Sequence, residues 1–242
     1  MSSPDEPLEA IGALDEARFV RAVSARTDAG TDPATSLCEA GAELLDLTGV
    51  GIMLSSGTRL ECVAVSDAAT GDLEATELML GEGPCYHAFR TRSTCFDADL
   101  ADDRAVSWTA FRERALAAGV RAAFGFPLVV ATDCIGVLNC YRDCAGALSA
   151  AQIADAQLVA NLSGSTMLGW QADAPRGRLA WQLEGSGGHR VVVHQAAGRV
   201  SVQARVKIDD AMVMLHAHAF ARGLVLHDVA TEVLAGRLRF DV

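Results

Sequence analysis

Positive charge is what this chain has least of. Lys207 is its only lysine, and 20 Lys and Arg together face 31 Asp and Glu over 242 residues, a net charge of −11. Long apolar runs are also missing. None approaches the roughly 18 residues that span a bilayer, and the N-terminal MSSPDEPLEAIGALDEARF is acidic, without the basic and apolar regions of an export signal. A soluble cytoplasmic protein with no membrane partner is expected. The seven cysteines (Cys38, Cys62, Cys85, Cys95, Cys134, Cys140 and Cys144) are odd in number and contain no CxxC pair. That argues against a disulfide framework or a zinc site and for cysteine used mostly as a small buried hydrophobe. No phosphate loop, acid–base pair or catalytic triad emerges, so no enzyme, metal or cofactor is expected.

Half the residues are apolar, enough for a substantial core. Charge is distributed unevenly: residues 1–188 hold 13 Arg against 26 acids, whereas residues 189–242 hold six Arg and Lys207 against five acids, with five of the six histidines. An acidic body and a mildly basic tail suggest two modules with different partners. Apolar spacing predicts helices over 14–26, 34–47 and 73–80, and a long one over 149–170 with Ser149 as its cap. GVGIMLSS and LECVAVS read as strands joined by SGTR, and a short strand is expected at 95–97. WTAFRERALAAG follows as a helix ending at Gly119, then VRAAFGFPLVVA and CIGVLNCYR as strands.

The chain therefore reads as an α+β fold, an antiparallel sheet flanked by helices, followed by a small all-α bundle of three helices. The expected divisions are an N-terminal helix and linker (1–33), a sensor-like domain (34–173), a Gly- and Pro-rich junction (174–188) and the helical tail (189–242). In the tail, Val193, Ala196, Val200, Ala211, Met214, Leu215, Ala219, Leu226, Val229, Ala230 and Val233 recur at helical spacing and are most simply its core. Small Ala196, Ala197 and Gly198 would let helices approach closely, and Gly223 would end the second helix.

LGEGPC…AFRT, DLADDRAVSWTAFRERALAAGVRAAFGFPL and IGVLNCYR together resemble a GAF domain of the actinobacterial type that precedes an ANTAR domain. VVVHQAAGRV…DDAMVMLHAHA…LHDVATEVLAG resembles the ANTAR module. The resemblance implies a signal-responsive transcription antiterminator, in which the three-helix module binds paired hairpins of a leader RNA. It also implies a GAF sensor that takes a small-molecule signal, and a homodimer. The tail departs from the family pattern. Gln195-Ala196-Ala197-Gly198 lacks the usual lysine, Leu224-Val225 replaces a basic segment, His218 stands where an aromatic is common, and Lys207 where Ser or Thr starts the second helix. Each lost cation removes a possible phosphate contact.

The candidate RNA-binding residues are Arg190, His194, Arg199, Arg205, Lys207, His218, Arg222 and Arg237, with Arg239, His216 and His227 as further cationic or titratable groups. Candidates for the GAF pocket are Met53, Cys85, Phe96, Trp108, Phe111 and Phe126. In LGEGPCYHAFRT, Gly81 and Gly83 permit unusual backbone angles and Pro84 suits the first turn of a helix. Cys85 at that helix start invites the idea of a depressed thiol pKa. Its structural reading is the simpler one, because His87 points to another face. Two alternatives stay open: a degenerate tail used for dimerisation or protein docking, and a thiol redox sensor.

Overall fold

The computed structural model describes residues 14–56, 59–102, 107–173, 188–222, 224 and 226–240. The first unit is built on a five-stranded sheet of β1 (Gly49–Ser56), β2 (Arg59–Val65), β3 (Cys95–Asp97), β4 (Ala122–Val130) and β5 (Asp133–Arg142), in the order β2-β1-β5-β4-β3. All neighbours run antiparallel. Helices α1 (Glu16–Asp28), α2 (Pro33–Leu44) and α6 (Ala150–Asp173) cover one face; α3 (Ala68–Leu80), α4 (Pro84–Thr91) and α5 (Thr109–Ala117) lie on the other. With both faces covered, β4 reads as a nearly continuous apolar run.

The helix starts follow local capping chemistry. Asp15 accepts from the N–H of Arg18, and Asp32 accepts from Ala34 and Thr35 with Pro33 in the first turn. Asp67 accepts from Thr70. Ser149 Oγ accepts from the Gln152 N–H while Gln152 Oε1 accepts from the Ser149 N–H, a reciprocal box that fixes the start of α6. Gly119, at φ +86°, follows α5 as its sequence suggests.

Alternation along the strands separates two cores. Val50, Ile52, Phe124, Phe126, Leu138 and Cys140 face α2 and α6, joined there by fully buried Phe19 of α1. Leu14 and α1 thus belong to this core, and the Leu14 N–H donates to Asp155 of α6 at 3.0 Å. Met53, Val137, Asn139 and Tyr141 face α3 and α4. Pro127 lies past the end of β3, where the outer edge of β4 needs no donor.

The tail forms α7 (Gly188–Ala204), α8 (Ile208–Arg222) and α9 (Leu226–Leu234). Ala196, Ala197, Val200, Ala211, Leu215, Ala219, Val229, Ala230 and Val233 form its own buried cluster, with Val193, Met214 and Leu226 against it. A Cβ added at Gly198 would meet nothing within 4 Å, so the close approach of these helices rests on the two buried alanines and not on that glycine. Gly223 and the junction 174–187 lie outside the described residues.

Two glycines distinguish close packing from spare space. A Cβ at Gly125 of β4 would stand 2.8 Å from the Pro84 carbonyl and 3.0 Å from Ala88 of α4, whereas one at Gly169 in α6 would meet nothing within 4 Å. Gly125→Ala is expected to destabilise the protein by about 1–3 kcal/mol, and Gly169→Ala to stabilise it by up to about 1 kcal/mol. Urea unfolding of both variants checks the contrast.

Candidate functional site

The glycine pattern of the sheet creates a trough on its α3/α4 face. Asn139 of β5 is flanked by Gly51 on β1 and Gly125 on β4, and Tyr141 by Gly49 and Ala123. With only hydrogen, or the Ala123 methyl, on those neighbours, α3 and α4 come down onto the strands. The space that a Cβ would take at Gly51 is filled by Glu74, and at Gly83 by Glu77. Two carboxyls one helical turn apart on α3 therefore point into the protein, and both residues are fully buried.

Their partners are neutral donors. Asn139 Nδ2 donates to Glu74 Oε2 at 2.8 Å and reaches Glu77 Oε2 at 3.5 Å. Tyr141 Oη donates to Glu74 Oε1 at 3.2 Å, with Glu77 Oε1 at 3.5 Å. The Cys85 N–H, at the start of α4, donates to Glu77 Oε2 at 3.1 Å. Burial raises the Glu74 pKa to about 7 even against the bonds from Asn139 and Tyr141. Burial, reinforced by the neighbouring Glu74 charge, pushes Glu77 well above the usual carboxylate range. Burial and the same two acids also push Tyr141 up.

The GEGPC segment is fixed by this arrangement. Gly81 ends α3 in the left-handed region at φ +66°, and Gly83 precedes α4 at φ +136°, with Pro84 in the first turn. Glu82 Oε1 accepts from the N–H groups of Ala110 and Phe111 at 2.9 and 3.1 Å, capping α5 in place of Trp108, which makes no side-chain cap. Arg112 of α5, nearly buried, pairs with Asp97 and donates to the carbonyls of Asp99 and Asp102, tying α5 to the loop after β3.

Cys85 does not behave as its helix position suggests. It is fully buried, and burial first, then the charges of Glu77 and Glu74, drive its thiol pKa well above the ordinary value. The effect of the helix start is overridden. Of the other pocket candidates, Met53, Trp108 and Phe111 stand on the same side of the sheet as Cys85. Phe96 and Phe126 pack against each other edge to face at 5.8 Å on the α2/α6 side, where Phe96 is 46% exposed. The six candidates are thus divided between two faces. The acid pair was missed by periodicity. Its available signal was two glutamates in an apolar helix, LEATELML, opposite Gly-X-Gly on one strand and an Asn-X-Tyr pair on the next.

On the tail, Arg205, Lys207 and Arg222 are exposed. Arg199 donates to the Leu234 carbonyl at 2.8 Å, and Arg237 pairs with Glu232 at 2.7 Å, so these two cations are already engaged. His218 packs edge to face on Phe240 at 5.2 Å. Burial lowers its pKa, with a contribution from Arg222, and burial alone lowers that of His216. Neither supplies the positive charge at neutral pH that counting titratable side chains would allow. The side chains of Arg190, His194 and His227 lie outside those described.

A GAF domain family model matches residues 32–167, more than half of the chain, and the chain belongs to that family of sensor domains. Among solved structures it is similar to the domain of a two-component sensor histidine kinase protein from Sinorhizobium meliloti 1021, at 19% identity over 57% of this chain and 90% of that one, with TM-score 0.47. It is similar also to the GAF domain of a phosphoenolpyruvate-protein phosphotransferase from Coxiella burnetii (12% identity, 64% and 94% covered, TM-score 0.48). A third similar structure is the type II free methionine-R-sulfoxide reductase of Thermoplasma acidophilum (17%, 61% and 92%, TM-score 0.41). No curated protein matches the chain. The family match ends before the helical tail.

Cysteine exposure gives a direct check of the site. Alkylation of the native protein is expected to label exposed Cys144 rapidly and buried Cys85 at least tenfold more slowly, because only accessible thiolate reacts. Peptide mass spectrometry reads both positions, and equal labelling would contradict the buried network.

Proposed function

We propose that the chain is a signal-responsive regulator without enzymatic activity, in which the GAF unit controls an RNA-binding, antiterminating tail. The observation that carries this reading is the tail's construction. It has an apolar cluster of its own and displays exposed Arg205 and Lys207 at the turn between α7 and α8, with Arg222 at the end of α8. Side chains of that kind recognise a folded RNA through phosphate contacts and shape. The resemblance of HQAAGRV and the following helices to an ANTAR module supports the same reading, and makes leader hairpins the expected target. A small-molecule signal at the GAF unit and a homodimer complete the proposal.

A second reading has its own support. Val202 is 80% exposed and Val213 61%, and Arg199 and Arg237 are held by the tail itself. A tail serving for dimerisation or protein docking would use that apolar surface, which a phosphate-binding module does not require.

The test is a gel-shift titration of the full chain with the structured 5′ leader of its own operon at two salt concentrations. Specific binding that weakens steeply with salt supports the RNA reading, and absence of binding at low salt favours docking. Replacing Arg205 and Lys207 together by Ala is expected to weaken binding and to lower the slope of log affinity against log salt by about 2.

A further inference from the structure

The donors around Glu74 and Glu77 do not suffice for two carboxylates. Tyr141 has one proton for both acids and gives it at the shorter distance, 3.2 Å, to Glu74. Asn139 likewise makes its short bond to Glu74. Glu77 keeps the Cys85 N–H, the weak donor of the Cys85 thiol and two contacts at 3.5 Å, the limit at which such a bond counts. Among the described residues no cation forms an ion pair with either acid. A proton on Glu77 completes the arrangement, because its O–H can turn to the Tyr141 oxygen, whose own proton stays on Glu74. The Oδ1 of fully buried Asn139 has no partner among the described residues, and as an acceptor it offers nothing to a carboxylate.

We propose that Glu74, Glu77 and Tyr141 form a proton-binding latch that joins α3 to β5 and to the start of α4. Protonated, the pair is a neutral or singly charged network that holds three elements together. As protons leave to bulk water, the charge on each carboxyl must be carried in the interior with too few donors, and the α4 end, held through the Cys85 N–H, loosens. The titratable groups on the same face as the pair are Tyr141 from β5, Cys85 from α4 and Cys95 from β3, while Cys140 of β5 and Cys38 of α2 lie across the sheet within reach of the Glu74 charge. Burial and the acids raise all five, so they stay neutral while the pair titrates. The latch concerns the GAF unit alone and stands whether or not the tail binds RNA.

The sign follows from the raised carboxyl values. Stabilisation by a neutral buried acid is complete below its unfolded value, 4.5, and is lost as pH climbs to the folded value, about 7 for Glu74. Glu74→Gln mimics the protonated form. In full-length protein, the unfolding constant of wild type relative to Glu74→Gln is expected to rise about tenfold per pH unit from about 4.5 to about 7 and then level. Tyr141→Phe removes a donor to the charged form and should move that step to higher pH. Opening is read separately by the alkylation rate of Cys85 normalised to Cys144: a rise with pH in the wild type that Glu77→Gln abolishes supports the latch. A pH-independent ratio of unfolding constants, together with a Cys85:Cys144 ratio that does not change with pH, would overturn it. If Glu77→Gln does not fold, the shift in Tyr141→Phe decides, since that variant keeps both carboxyls.

Discussion

The constraint on which the first unit depends is the burial of two like acids against a strand that offers them only neutral partners. Gly51 and Gly125 on either side of Asn139 permit it, because any larger neighbour would occupy the space of a carboxyl or of the Pro84 carbonyl. Once α3 is seated, Gly83 and Pro84 lead directly into α4, whose first N–H, that of Cys85, donates to Glu77. Glu82, two residues before Pro84, then caps α5. Three helices on one face of the sheet are thereby positioned through one short segment. Removing one partner from such a buried network leaves a costly unpaired group.

Much of this was legible in the sequence. The strands at 49–56, 95–97 and 133–142, the cap at Ser149 and the tail core follow from periodicity and turn chemistry, because each is a local pattern that packing reinforces. α3 begins five residues earlier than LEATELML suggests, since Asp67 caps it and polar Thr70 faces the sheet beside Gly49. The acid pair was invisible for a related reason. Periodicity weights apolar residues and assigns glutamates to solvent, whereas here the deciding feature is the absence of side chains on two other strands. Cys85 shows the same limit: a local dipole argument points to an activated thiol, and the nonlocal burial under Glu77 reverses it. Phe96 and Phe126 could not be assigned a face until strand register was known.

The tail presents the opposite case. Its helices and core are regular, yet its charge depends on details that a count of basic residues omits. Arg237 satisfies Glu232, Arg199 closes the end of α9, and the pKa values of His216 and His218 are lowered, by burial and for His218 also by Arg222. Among the described residues, exposed Arg205 and Lys207 stand together at the turn before α8, and exposed Arg222 stands at its other end.

The short β3 has a consequence for assembly. It covers Ala123–Gly125 of β4, and immediately beyond that cover Pro127 removes an N–H from the exposed edge. A strand from a second molecule, arriving to lengthen the sheet, would find its ladder broken two residues in. Growth by strand addition is therefore blocked on that side of the sheet, and β2 is left as its other edge.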